Sequence, residues 1–183
     1  MLKMGIEYLG IQRRKTIVAM SLDEQILALI QGSPQDGQTS ILIEVIAPLL
    51  KELAQQLHYL EYYILQNAEG RWMMTTLSHR EEAEAEKIVI YAYPTLGDAQ
   101  QNPHARSDAQ VMAIPTPVIV ILFQLLALQP VTSLLFFDTP GNRKEALEIR
   151  RDEIQKLVKA QLRSYQQYQS QSQSATQVPP NLA

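Results

Sequence analysis

The chain has 183 residues, of which 46% are hydrophobic and 19% are charged, and its formal net charge is -3. This length and composition are typical of one domain with a sizeable apolar core. The lack of cysteine excludes disulfides and thiolate metal sites. The negative charge disfavours nucleic acid as a partner, because phosphate backbones are bound mainly through several cations at once.

Residues 1–20 alternate loosely between apolar and polar types and are interpreted as an N-terminal arm or a strand. They contain no apolar run long enough for a secretory signal, so we expect a cytoplasmic protein. The first helix is predicted after Ser21, because Ser21 and Glu24 have the spacing of a capping box. It should end near Gly32.

A second helix is predicted after the loop at 32–38, from apolar residues that recur at helical spacing up to residue 57. Pro48 leaves its start open, since proline is tolerated in a first turn but disrupts a helix interior. The helix begins either at Ala47, or near Ser40 with a kink at the proline.

From residue 59 the apolar period changes to two, which indicates strands. The segments 59–66 and 71–78 flank the sequence NAEG, a predicted hairpin loop in which Gly70 supplies a positive φ angle. A third strand at 87–93 follows the acidic connection 79–86, which we interpret as a solvated loop rather than as catalytic carboxylates. These three strands predict an antiparallel meander.

Residues 94–108 carry proline, glycine and asparagine in a polar context and are predicted to be a long loop. One hypothesis uses this loop as a lid. Residues 109–137 contain no charged residue and no histidine. They must therefore be covered by the rest of the chain or lie in a membrane. We favour the first, and membrane association through 109–137 is the alternative.

Three prolines divide this apolar stretch. Pro115 and Pro117 suit the first turn of a helix, whereas Pro130 would break one. The helix is therefore predicted at 118–129, which is shorter than the roughly 20 residues that span a bilayer. The β-branched and aromatic residues of 131–137 predict a buried strand.

Asn142 and Glu145 form a second capping-box pattern, which predicts a long helix over 143–165. The Gln/Ser-rich segment 166–183 has few apolar residues to bury and is predicted to be disordered. One domain is thus expected at 21–165. We predict an α+β fold whose antiparallel sheet, a three-stranded meander plus one later strand, is packed by helices.

No catalytic or metal-binding motif is found. The histidines, His58, His79 and His104, have no metal-ligand spacing to one another, and the glycines form no phosphate-binding loop. We therefore expect no metal, cofactor or catalytic residue.

One group of side chains is a candidate binding surface. If the strand registers agree, five aromatic residues share a sheet face that offers large contact area with polar handles: Tyr59, Tyr63, Trp72, Tyr91 and Tyr93. The aliphatic residues of the same strands point the other way and should seat the helices: Leu60, Ile64, Ile88 and Ile90. The alternative is an aromatic face covered by the 118–129 helix or by a second copy of the chain.

Three functional hypotheses follow. The first is a non-catalytic interaction protein, such as an assembly factor, an adaptor or a chaperone-like subunit, whose partner is another protein or itself. The second is a small-molecule binder or enzyme with a pocket between the sheet and the 118–129 helix. The third is a membrane-associated protein.

Overall fold

The computed structural model describes residues 19–34, 36–78 and 86–175. The predicted N-terminal arm up to residue 18 lies outside the described residues, as do most of the acidic connection with His79 and the end of the tail from residue 176.

The described residues form six helices and six strands, and the expected α+β class with a long C-terminal helix is confirmed. The helices are α1 Leu22–Gln31, α2 Gln38–Ala54, α3 Leu96–Gln100, α4 Pro103–Ser107, α5 Val118–Ala127 and α6 Arg151–Ala175. The strands are β1 Glu61–Gln66, β2 Thr75–Ser78, β3 Glu86–Tyr93, β4 Met112–Pro117, β5 Ser133–Phe136 and β6 Leu147–Arg150.

All six strands belong to one mixed sheet with the order β4-β1-β3-β5-β6, and β2 also pairs with β3. The prediction of a purely antiparallel sheet was wrong, because β3 and β5 run parallel. A parallel pair needs a long crossover connection, and here the chain between β3 and β5 contains α3, α4, β4 and α5. The strand periodicity alone carries no information about that direction.

The predicted meander was also wrong at its first hairpin. Strands β1 and β2 do not pair along their length but lie end to end along β3, with registers that oppose Tyr63 to Tyr93 and Thr75 to Val89. The intervening residues 67–74 belong to neither strand, although the Met73 N–H still donates to the Leu65 carbonyl at 2.8 Å. The other edge of β1 is occupied by β4 instead.

A short turn remains where the hairpin was expected. A single bridge joins Gln66 to Trp72, and the Asn67 N–H donates to the Arg71 carbonyl at 3.0 Å. The positive φ predicted for Gly70 is confirmed, at 75°.

The first two helices agree with their sequence signals. The Ser21–Glu24 capping box is confirmed: the Glu24 carboxylate accepts from the Ser21 N–H at 2.7 Å, and the Glu24 N–H donates to Ser21 Oγ at 3.3 Å. Helix α2 contains Pro48 in its interior, so the longer of the two alternatives for its start is the correct one.

The long loop predicted at 94–108 was wrong, since most of this segment forms α3 and α4. Thr95 and Asn102 accept from backbone N–H groups as N-caps, and Pro103 is the first residue of α4. The residues interpreted as loop formers therefore act as helix caps, a role that the same residue types also favour.

The charge-free stretch folds as β4, α5 and β5. The predicted helix end before Pro130 is confirmed, and β5 lies within the predicted strand. Strand β4 was not predicted, because Pro115 and Pro117 were placed in a helix turn. Among the described residues, no helix combines the length and the apolar character needed to cross a membrane.

Proline is tolerated in β4 because β4 is an edge strand. The Val118 N–H donates to the Leu60 carbonyl at 3.0 Å, so residues at even positions of β4 make the hydrogen bonds to β1. Pro115 and Pro117 are at odd positions, where a backbone N–H would point away from the sheet. Their missing donors cost no ladder hydrogen bond.

The start of the C-terminal helix differs from the prediction. Residues 147–150 form β6, and α6 begins at Arg151 rather than near Arg143. The Lys144 N–H does donate to Asn142 Oδ1 at 3.0 Å, but this contact closes a turn and not a helix. Helix α6 also continues past residue 165 to Ala175, although the tail was predicted to be disordered from 166, and its residues 166–172 are exposed.

The main core lies between one face of the sheet and α1, α2, α5 and α6. Its fully buried large side chains include Tyr62, Leu50, Ile119, Leu122 and Phe136. Ile64, Ile88 and Ile90 lie on this side, as expected for the aliphatic strand residues. The opposite face carries a smaller buried cluster of Leu65, Tyr93, Ala99 and Phe137, which α3 and α4 cover only in part.

Candidate functional site

The structure separates the five aromatic candidates. Tyr63, Tyr91 and Tyr93 lie together on the face opposite the main core, which we call the open face. Tyr59 and Trp72 pack instead against the main core on the helix side, so the prediction of one shared face was wrong for these two. Tyr59 precedes β1, and Trp72 lies between β1 and β2, where it makes a single bridge. The alternation of side chains within a strand therefore does not predict which face these two side chains occupy.

Three aromatic rings form a continuous floor on the open face. Tyr91 and Tyr93 are two residues apart on β3 and therefore point to the same side. Phe137 directly follows β5, and its ring stacks on both, with centroid distances of 5.6 Å to Tyr91 and 5.4 Å to Tyr93. The Phe137 N–H donates to the Ala92 carbonyl at 3.0 Å, which fixes the backbone beside β3.

A cavity of about 590 Å³ lies over these rings. Leu135 extends its floor, Asn102 and Pro103 form one wall, and the loop 141–146 forms the other. We call this cavity the open-face pocket. It is located where the parallel strands β3 and β5 reach their carboxyl ends, a place that often binds ligands in sheets with parallel strands.

Asp98 joins the two walls of the pocket. This residue is 5% exposed, and its carboxylate accepts from the Gly141 N–H at 2.9 Å and from Thr95 Oγ1 at 2.5 Å. Gly141 has a φ of 78°, a value that favours glycine at this turn. A second link, from Arg143 Nη1 to the Gln101 carbonyl at 3.1 Å, holds the loop beside the end of α3.

Asn102 and Tyr93 fix the bottom of the pocket. Asn102 Nδ2 donates to the Tyr93 hydroxyl at 2.6 Å, while Asn102 Oδ1 accepts from the His104 N–H at 2.8 Å. Burial raises the pKa of Tyr93, and it also raises the pKa of Tyr91. Both phenols are therefore neutral at physiological pH and act as hydrogen-bonding groups rather than as bases.

Two cationic side chains stand at the rim. Arg143 and Lys144 both line the pocket and are exposed. Over the part of the chain that the structure describes, no carboxylate lies within ion-pair distance of either. The pocket thus combines an aromatic floor with two cations that form no ion pair with any described residue.

A polar cluster follows further along the open face. The Glu148 carboxylate accepts from Ser133 Oγ at 2.5 Å and from Lys87 Nζ at 2.9 Å. The hydrogen bond from Ser133, with a further contribution from Lys87, holds the pKa of Glu148 below its usual value. Glu148 is therefore ionised at neutral pH and is not a proton donor.

Neither of the described histidines, His58 and His104, lines the pocket. His58 Nδ1 lies 2.9 Å from Asp138 Oδ2, and the other oxygen of Asp138 accepts from the Tyr62 hydroxyl at 2.6 Å. Burial, together with this bond and the charge of Asp138, raises the pKa of Tyr62. Within the described ranges, no group of three or more potential ligands is placed to hold a metal ion.

Among the described residues, the space between the sheet and the 118–129 helix, where a pocket was expected, is filled by the main core. Val118, Ile119, Ile121, Leu122 and Leu125 of α5 are all 0% exposed. The open-face pocket lies on the other side of the sheet. The segment 94–108, suggested as a lid, contributes Asn102 and Pro103 to the pocket wall.

Sequence reasoning missed Phe137, Asn102, Arg143 and Lys144 as pocket residues. Phe137 was placed in a buried strand, and the two cations were placed at the start of the predicted C-terminal helix. One signal was available: DTPGN is a strong turn sequence, and a turn directly after a buried strand puts the following residues at the sheet end.

The fold and the pocket define an α+β domain with a mixed sheet, which has four helices on one face and two short helices beside a cavity on the other. Comparison with known proteins gives no relative: no protein-family model matches the chain, no curated protein is similar to it, and no solved structure matches it.

Proposed function

We propose that the protein is a non-catalytic interaction module that binds a segment of another protein in the open-face pocket. An assembly factor, an adaptor or a chaperone-like subunit would act in this way. The observation that carries the proposal is the concave apolar floor of the open-face pocket, where Tyr91 and Leu135 remain partly exposed beside the buried rings of Tyr93 and Phe137. Aromatic residues in an accessible concavity are typical of protein interfaces.

The use of the polar groups supports a binding role rather than catalysis. Asp98 and Asn102 are buried and satisfied by bonds that hold the pocket walls together. Glu148 is engaged by Ser133 and Lys87. A general acid or base needs a perturbed pKa near neutrality and a free path to a substrate, and these groups are committed to structure.

Site-specific photocrosslinking tests the proposal. The full-length protein with benzoylphenylalanine at position 91 is irradiated in the source cells. The photoactivated ketone should then form a covalent bond to the polypeptide that lies in the pocket. The matched control carries the same residue at position 59, because Tyr59 packs on the opposite side of the sheet. We expect a polypeptide that is cross-linked at 91 and not at 59.

The identity of the cross-linked polypeptide distinguishes binding to another protein from self-association. A different protein supports the interaction module, and the chain itself supports self-association. If position 91 captures no polypeptide above the level of position 59, the proposal is wrong. We place the interaction in the cytoplasm, a compartment with which a chain lacking cysteine is compatible.

A small-molecule binder is the second candidate. It is favoured by the cavity volume of about 590 Å³, which falls within the range of ligand pockets. Its test is a thermal-shift screen of metabolites against the wild type and Tyr91→Ala. Stabilisation of the wild type alone would support this candidate.

A further inference from the structure

We infer that the open-face pocket recognises a carboxylate carried next to a flat ring, and that the partner segment presents it as an aromatic residue followed by Asp or Glu. This inference rests on the proposed function and specifies the chemistry of the partner. It combines the ring floor with the two rim cations, Arg143 and Lys144.

The floor selects a flat apolar group. The planes of Tyr91 and Tyr93 are inclined by 27° and 23° to Phe137 and by 47° to each other. Tyr93 and Phe137 are buried, so the partly exposed Tyr91 and Leu135 supply the accessible apolar surface of the floor. An aromatic ring in a partner segment gains stacking and apolar contact on such a surface. The Tyr93 hydroxyl already bonds to Asn102, so the floor does not demand a second polar group there.

The rim selects a negative charge. Arg143 uses one N–H toward the Gln101 carbonyl, which leaves further donors of its planar guanidinium for a ligand. Lys144 makes no side-chain hydrogen bond and no ion pair within the described residues. Both cations stand on the same short loop beside the floor, so a carboxylate above the rings would be close to both.

The geometry disfavours a basic or neutral polar ligand. A cationic ligand would meet two positive charges and would gain only its contact with the ring faces. Among the described carboxylates of the pocket walls and the open face, Asp98 is buried and Glu148 is paired with Lys87. The Glu145 carboxylate on the same loop accepts from Asn142 Nδ2 at 3.4 Å and forms no ion pair with Arg143 or Lys144.

Binding of labelled octapeptides to the full-length protein, measured by fluorescence anisotropy, tests this inference. The probes share one neutral sequence with Phe-Glu, Phe-Gln or Ala-Glu at the centre. We expect Phe-Glu to bind at least about tenfold more tightly than either of the others, because charge-assisted bonds and ring stacking both contribute. Its affinity should fall as salt is raised from about 50 to 500 mM, since the cations are exposed.

Protein variants locate the charge. Lys144→Gln should weaken Phe-Glu binding about three- to fivefold, the range for an exposed ion pair, and should leave Phe-Gln binding unchanged. Arg143→Gln should do the same, but it also removes the bond to Gln101, so Lys144→Gln is the decisive variant. The matched control is Lys159→Gln, which removes one exposed charge from α6 and should change neither affinity.

A small aromatic carboxylic acid tests whether the pocket binds a carboxylate of a free small molecule rather than one in a peptide. 3-Phenylpropionate and its amide are added to the protein and followed by the ring signals of Tyr91 and Tyr93 in NMR spectra. If the free acid binds and no peptide does, the partner segment and the proposed function are wrong. If Phe-Gln binds as tightly as Phe-Glu and Lys144→Gln has no effect, the inference is wrong while the proposed function stands.

Discussion

Asp98 connects two segments that lie 43 positions apart in the chain, through its bond to the Gly141 N–H. Asp98 is also the third residue of α3. Its N–H donates to Oγ1 of Thr95, the N-cap of that helix, and its carboxylate accepts from the Thr95 hydroxyl. We expect Asp98→Ala to lower the free energy of unfolding by about 2 kcal/mol, because it removes a cap and leaves a backbone donor without its partner. Urea denaturation measures this loss.

The control for Asp98 is Asp108→Ala. Asp108 is exposed, and its side chain accepts one backbone hydrogen bond, from the Gln110 N–H. Its replacement should cost less than about 0.5 kcal/mol. Equal effects of the two substitutions would contradict the role given to Asp98 in joining the pocket walls.

Tyr62 makes the stability of the fold depend on alkaline pH. Burial, the hydrogen bond to Asp138 and the charge of Asp138 raise the pKa of Tyr62 in the folded protein, whereas an unfolded tyrosine has a pKa of about 10. The folded chain thus holds the proton more tightly. This stabilisation is fully present below about pH 10 and is lost as the pH rises toward the folded-state value.

We therefore expect the free energy of unfolding to decrease between about pH 9 and pH 11, and Tyr62→Phe to reduce that slope. A smaller slope should remain, since burial also raises the pKa of Tyr91 and of Tyr93. Chemical denaturation at several pH values provides the measurement. A slope that is unchanged in Tyr62→Phe would show that this phenol does not govern the alkaline transition.

At the scale of the element, Pro48 destabilises α2. A proline in a helix interior removes one hydrogen bond and clashes with the preceding turn, and Pro48 is exposed, so its ring gains little packing. We expect Pro48→Ala to stabilise the protein by about 1–3 kcal/mol in urea denaturation. Pro103→Ala is the control, because proline is favourable at the first position of α4, and it should not stabilise.

Strand β4 shows how two prolines protect an edge. Any residue other than proline at positions 115 and 117 would place backbone N–H groups on the side of β4 that faces away from β1. An edge strand with such unpaired donors can pair with a strand of another chain. The double variant Pro115→Thr/Pro117→Thr should therefore self-associate, detected by light scattering as a concentration-dependent rise in mass. Pro103→Thr lies off the sheet and should leave the mass unchanged.

At the scale of the whole molecule, α6 belongs to the domain only in its first half. Ile154 is 1% exposed in the main core and Val158 packs against it, whereas residues 166–172 are exposed. We expect removal of residues 166–183 to change the free energy of unfolding by less than about 0.5 kcal/mol. A larger loss would mean that the domain boundary expected at residue 165 is wrong.

The arrangement of the sheet was the least predictable part of the fold. Period-two patterns located β1, β2 and β3, and the β-branched and aromatic run at 131–137 located β5. However, β1 and β2 share one edge of β3 rather than pairing with each other along their length. Strands β4 and β6 were missed, since prolines mark the first and a capping-box pattern masks the second. Each error comes from a local signal that allows two structures and is settled by partners far away in the chain.

The candidate site was predicted in part for the same reason. Alternation along β3 put Tyr91 and Tyr93 on one face without any knowledge of the fold. Phe137, Arg143 and Lys144 reach that face only because β5 lies parallel to β3 and the loop after it turns back over the rings. No spacing within the sequence encodes that approach.

The sequence by itself determined the α+β class, the break of the apolar stretch before Pro130, and the start of α1, because caps, prolines and apolar periods act within a few residues. Only the tertiary structure decided the mixed sheet and the location of the pocket. Those features depend on which strands pair with each other. The pairing of β3 with β5 is determined by the burial of apolar side chains on both faces of these two strands, and not by the conformational preferences of neighbouring residues in the sequence.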